Sequence, residues 1–202
     1  MQGSVILSRV AEADGGVALT QAVSLTEAKR HLNIFHAEDD ALITALIVAA
    51  QASIEGIDGT GGTLGRAITR HTLDMVCEDF PDASRLALPQ PPLVSVASVK
   101  YLDTTGTERT FAASGYHVVA DKYVPHVRLK DGVSWPSLAD APDAIRVRYV
   151  VGPAECPGDI KQAILLHVAH LYANREAAGE NLTPLPMAYK YLLDPHRTHG
   201  WM

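Results

Sequence analysis

No stretch of this chain is long and apolar enough to span a bilayer, and Met1 to Val10 lack the basic start and apolar run of a secretion signal. Synthesis in the cytoplasm is therefore expected. Cysteine is scarce. Cys77 and Cys156 stand far apart and outside any C-x-x-C pattern, which favours two idle thiols, although one disulfide stays open. A surplus of positive charge is also missing: 17 Lys and Arg face 23 Asp and Glu, a formal net charge of −6. That balance disfavours a free-standing duplex binder, which would present a basic face. An acidic wall can still surround DNA, because repulsion keeps the duplex from adhering.

Motifs of catalysis are absent as well. There is no G-x-S-x-G elbow and no H-E-x-x-H zinc helix. The nine histidines include three close pairs, His167 with His170, His196 with His199, and His31 with His36. None has a third ligand at zinc spacing, so no metal and no cofactor is expected, and His167 reads as a half-buried core residue. The run Gly56-Ile57-Asp58-Gly59-Thr60-Gly61-Gly62-Thr63-Leu64-Gly65-Arg66 lacks the Lys-Ser/Thr pair of a phosphate loop and follows a helix rather than a strand. It reads as a flexible connector.

What remains is pattern, in a chain of 202 residues, enough for one core or a core with an appended unit. Ser24-Leu25-Thr26-Glu27 forms a capping box that opens a short helix ending near Asn33. Asp39 or Asp40 then caps a second helix, whose Leu42, Ile43, Leu46, Ile47 and Ala50 share one face. From about Arg66 to Gly152 the period becomes two. Leu73, Met75 and Cys77 alternate with polar neighbours, and so, most cleanly, do Ile145, Val147, Tyr149 and Val151. Further strands are expected at Leu93 to Tyr101, Glu108 to Phe111, Tyr116 to Ala120 and Tyr123 to Leu129, with a turn at Asp103-Thr104-Thr105-Gly106. Pro89-Gln90-Pro91-Pro92 must be an extended connector. Arg146 and Arg148 project from the outer face of the best strand, either solvated or paired with Asp79 or Asp82 of a neighbouring subunit.

Pro157-Gly158-Asp159 opens a long helix with Ile160, Ile164, His167, Val168 and Leu171 on one stripe. The predicted fold is α+β: N- and C-terminal helices packed as a small bundle, with an inserted antiparallel β unit. The expected division is an N-terminal arm over 1–23, which could equally be a frayed strand, then a main domain over 24–183 and a tail over 184–202. Within the main domain the helices span 24–57 and 158–178 and the β insertion spans 66–152.

Several blocks, in this order, resemble the gp6-like (phiE125 gp8-like) head–tail connector family of tailed phages, prophages and gene transfer agents. They are Ser24-Leu25-Thr26-Glu27-Ala28-Lys29-Arg30-His31-Leu32, Asp39-Asp40-Ala41-Leu42-Ile43, Leu88-Pro89-Gln90-Pro91-Pro92-Leu93-Val94, Trp135-Pro136, Asp143-Ala144-Ile145-Arg146-Val147, Ile160-Lys161-Gln162-Ala163-Ile164 and Asn174-Arg175-Glu176. The resemblance implies no enzyme but a virion adaptor made in the bacterial cytoplasm. It implies a ring, usually of twelve copies, under the portal protein, which extends the DNA channel and joins the filled head to the next tail or stopper protein. DNA would pass without sequence-specific binding, and no membrane is involved. In related connectors the C-terminal region faces the portal, so the resemblance marks Tyr189, Tyr191, Leu192, Leu193, Arg197 and Trp201 as partner-facing. Such a tail either orders on binding or straps back across its own helices, and its deletion from Pro184 onward is expected to leave a folded domain. The competing reading is a small non-viral α+β regulatory or ligand-binding protein without catalysis.

Overall fold

The computed structural model describes residues 5–11, 14, 16, 20–56, 62–80, 84–175 and 187–198. Helix α1 (Leu25–Leu32) starts where expected: the Ser24 hydroxyl accepts from the Glu27 amide, and the Glu27 carboxylate accepts from the Ser24 amide at 2.8 Å. Asn33 ends it in the left-handed region, φ 57°. Helix α2 (Asp40–Glu55) follows, and α3 (Gly158–Ala173) and α4 (Met187–Leu193) come from the other end of the chain. Ile43, Ile47, Ala50 and Ile54 of α2 meet Ile160, Ala163, Ile164 and Val168 of α3 in one core. The two chain ends do pack together. Each fully buried aliphatic side chain there contributes about 1.5–3 kcal/mol before ordering entropy is subtracted.

The strands form two sheets. The larger runs β1 (Ile6–Arg9), β2 (His71–Cys77), β8 (Ile145–Val151), β4 (Leu93–Leu102), β5 (Glu108–Thr110), antiparallel throughout. The smaller runs β3 (Arg85–Ala87), β7 (His126–Leu129), β6 (Tyr116–Val119). The clean alternation of Ile145 to Val151 marks the central strand: its odd residues are buried with Leu73, Met75, Cys77 and Val99. In β4 the alternation is broken by two register shifts, after Leu93 and after Val96. The Pro-rich connector is buried, and the Tyr149 hydroxyl donates to the Pro89 carbonyl at 3.2 Å.

Four expectations need correction. The β unit is not solely an insertion, because β1 precedes the helices and pairs with β2, Ile6 opposite Val76 through Arg9 opposite Leu73. Strand β7 begins at His126 rather than Tyr123, since the Asp121 carboxylate accepts from the Tyr123 and Val124 amides and makes a turn there. Arg148 is not awaiting a neighbour: its guanidinium grips Asp74 across the strands with two 2.8 Å bonds. The glycine-rich run is not a free connector over 62–66. The Leu64 amide donates to the Ile54 carbonyl at 3.0 Å, and the Leu64 side chain is buried in the helical core.

Helical core and sheet core meet at one buried carboxylate, Glu55, at the C-terminus of α2. Its Oε2 accepts from Arg9 Nη2 of β1 at 3.0 Å. Its Oε1 accepts from the Ile68 amide at 2.9 Å and the Thr69 amide at 3.3 Å, and lies 3.6 Å from His71 Nδ1 of β2. Gln51, one turn earlier, donates to Glu55 and to Thr69 while accepting from the Ala22 amide. Gly152 closes the same corner at φ +93°, where a Cβ would stand 1.9 Å from the Thr69 carbonyl oxygen.

The chain after α4 straps back. His196 is hydrogen-bonded to Asp159 in the first turn of α3, and the Thr198 hydroxyl donates to the Leu64 and Gly65 carbonyls at 2.9 Å. Gly65 adopts φ +63°, and a Cβ there would lie 2.9 Å from that hydroxyl.

Three outcomes follow from this architecture. Replacing Glu55 by Ala strands Arg9 and two amides in the interior and lowers unfolding free energy by about 3–5 kcal/mol, read from urea denaturation. Burial, partly offset by Glu55 and reinforced by Arg9, pushes the His71 imidazole below its usual value, and burial does the same to His167. Unfolded, each takes a proton at about pH 6.5, so stability is full above that pH and declines below it as the unfolded chain alone gains protons. Melting temperature therefore drops between about pH 7.5 and 5.5, and drops less in His71→Asn. Gly65→Ala costs about 1–2 kcal/mol from the positive φ and the crowded Thr198, and limited proteolysis then cuts the C-terminal strap sooner.

Candidate interface surfaces

A chain whose polar groups are mostly satisfied internally acts through what it leaves outside. The helical bundle offers two such places. Between α1 and α2, Phe35 is 88% exposed although its neighbour Ile34 is in the core. The loop that presents it is anchored, because Lys29 Nζ donates to the His36 carbonyl and to the Asp40 carboxylate, each at 2.5 Å. Asp39 stands at the N-cap of α2, but its side chain does not cap the helix. It accepts from the Tyr172 hydroxyl and from Arg175 at 3.4 Å, tying the start of α2 to the end of α3. The Tyr172 hydrogen bond, with help from the Arg175 charge, holds the Asp39 carboxyl below the usual range. Arg175 in turn lies 4.3 Å above the Tyr172 ring.

The second place is the outer side of α4. Over seven residues its faces separate sharply: Tyr189 and Leu193 point into the helical core, whereas Met187 is 72% and Tyr191 68% exposed. Tyr189 packs edge-on against His167, ring centroids 5.3 Å apart. Of the residues marked as partner-facing, Tyr189 and Leu193 are thus buried in their own subunit, because the helical spacing of four turns both inward. Leu192 is half-buried, Tyr191 and Arg197 are exposed, and Arg197 pairs with Asp194 at 3.2 Å. Trp201 lies outside the described residues. A deletion from Pro184 would uncover the core around Leu193, so the tail is not separable from the fold.

Both cysteines are free thiols. Burial pushes the Cys77 thiol up to about 11 and the Cys156 thiol up to about 12, and the two lie in different cores. The histidine pairs also part company: His167 faces Ser53 and Tyr189, His196 faces Asp159, and His199 is outside the described residues. Among the described residues no three His, Cys, Asp or Glu side chains converge as a metal site would require. The features that sequence reasoning missed are Phe35, whose exposure follows from a loop geometry no periodicity encodes, and the Tyr172–Asp39 contact, 133 residues apart.

Residues 22–81, which hold α1, α2 and β2, match the family model of phage gp6-like head–tail connector proteins. A search among curated proteins finds no match. The fold is similar to that of a chain in the neck of an empty gene transfer agent (GTA) particle computed with C6 symmetry, at 23% identity and TM-score 0.73, covering 97% of both chains. A chain from the virion of the native GTA particle gives 22% identity and TM-score 0.76, again over 97% of both. One from the neck of the native particle computed with C12 symmetry gives 19% and 0.65, over 92% of this chain and 98% of that one. The sequence match thus covers residues 22–81, and over nearly its whole length the chain shares the fold of these GTA-particle chains.

Proposed function

We propose that this chain is a head–tail connector subunit in the neck of a phage or GTA-like particle. Copies assemble as a ring, twelve in the particle, beneath the portal protein. The ring lengthens the channel through which DNA passes and gives the next tail or stopper protein a platform. The observation that carries this reading is the agreement of fold over 97% of both chains with chains of the GTA neck and virion, joined to the gp6-like match over residues 22–81. The C6 and C12 symmetries applied to those particles suit a protein that works as a closed ring. The net charge of −6 suits a conduit, since a wall of like sign lets a polyanion slide.

The portal-facing surface in this reading is the outer side of α4, with Tyr191, Met187 and the half-buried Leu192 as apolar contacts and Arg197 at the rim. Trp201, outside the described residues, is proposed as a further partner contact. Tyr189 and Leu193 serve it indirectly by seating the helix on the core. Aromatic side chains presented on a firmly packed element are the usual anchors of an interface.

Co-expression with the portal protein of the same gene cluster tests this directly. Rings on portal complexes appear by electron microscopy, and Tyr191→Asp lowers the recovered complex by about tenfold or more while the melting temperature stays put. A portal that never retains the wild-type chain, and particles that form tails without it, would overturn the assignment.

A further inference from the structure

The outer face of the three-stranded sheet carries an unusual arrangement for so acidic a chain. Arg85 of β3 stands directly opposite Arg128 of β7, and Arg128 directly opposite His117 of β6. One cross-strand row therefore holds two guanidinium groups and an imidazole, all exposed. Lys130 follows two residues after Arg128, on the same side, and His117, Arg128 and Lys130 line a shallow depression of about 300 Å³ whose rim includes Asp131. Among the described residues no carboxylate makes an ion pair with Arg85, Arg128 or Lys130, although Asp74, Asp103 and Asp194 pair with other arginines. Like charges placed directly opposite on a sheet cost stability. Among the described residues the row has no counter-charge, which leaves its charge available to a partner.

We infer that the cationic row Arg85–Arg128–His117, with Lys130, is the docking surface for the acidic sheet end of a second copy of this chain. The inference rests on the ring reading above and deepens it. Charge complementarity within the chain itself identifies the occupant. At one end of the five-stranded sheet Cys77 of β2 faces Ile145 of β8, and the flanking residues are Glu78 and Asp79 on one strand and Asp143 and Asp140 on the approach to the other. All four are exposed, and among the described residues none is in an ion pair. A subunit thus carries both halves of a heterologous contact, the kind that closes into a ring when the rotation is right. The row also answers a problem of assembly: copies of net charge −6 repel one another unless opposite charges meet where they touch. Duplex DNA is the other polyanion available in a neck, but it would meet a subunit whose remaining charge is still more negative than −6.

Zero-length carbodiimide cross-linking of an equal mixture of ordinary and 15N-labelled full-length protein, alone at high concentration and on portal complexes, decides the matter. The expected product joins Lys130 of one label to Glu78, Asp79, Asp140 or Asp143 of the other. Arg128→Glu lowers its yield by about tenfold or more. Because the residues directly opposite Arg128 on the ladders are Arg85 and His117, and no carboxylate among the described residues pairs with it, Arg128→Thr leaves the melting temperature unchanged or raises it, which keeps the loss of cross-links distinct from misfolding. Rings that form on the portal without any mixed-label Lys130 product would overturn this inference and leave the connector reading standing. Failure of the wild-type chain to form rings there would instead remove the reading on which it rests. Salt-sensitive binding of a duplex oligonucleotide that Arg85→Glu and Arg128→Glu abolish, with ring formation intact, would assign the row to DNA and overturn the inference.

Discussion

A single buried carboxylate decides how the two halves of this protein sit together. Glu55 ends α2, where the helix dipole is negative and an acid is disfavoured, and it is wholly removed from water. Such a group persists only when saturated with donors. Here β1 supplies a guanidinium, the 68–69 segment two amides, and α2 itself the Gln51 side chain. Every one of these comes from an element that must already be in position. The carboxylate therefore specifies the angle at which the bundle meets the sheet, something two greasy surfaces would leave loosely defined. The family match over residues 22–81 includes Gln51, Glu55, Thr69 and His71, so most of this joint lies in the part of the chain that matches the gp6-like family model.

Where the chain's local chemistry and its packing agree, the fold was readable from sequence. The Ser24–Glu27 box and the Ile145–Val151 alternation each encode one element completely, because a cap and a period of two are local facts. The Asp103 turn is another: its carboxylate accepts from the Thr105 hydroxyl, from Arg109 and from the amides of Thr107 and Thr105, and those bonds hold it well below the ordinary carboxylate range. Strand β3 escaped notice because three residues carry no period, and β4 was blurred by its bulges. The arm-or-strand question at Ile6–Arg9 depended on β2, 64 to 70 residues away in the paired register, and on a buried partner for Arg9.

The candidate surfaces were less legible for a related reason. Periodicity tells which residues share a face, not which face is inward, so Tyr189 and Tyr191 looked alike until α4 was placed on its neighbours. Arg148 and Arg128 are likewise both strand arginines with outward side chains. One has an aspartate across the ladder and the other has an arginine, a difference set by register between strands far apart in sequence. A surface built this way has no constellation to find. Its chemistry is in which charges are answered at home and which are left over.

The central place of β8 bears on the order of biogenesis. Strands β2 and β4 both lie against β8 and not against each other, so β1–β2 and β4–β5 stay two separate pairs until Val151 has left the ribosome. Pairings this distant in sequence are slow to close. The bundle must also wait, since α2 finds its main packing partner in α3, still later in the chain. Both cores are consequently completed only after nearly all of the polypeptide has been made.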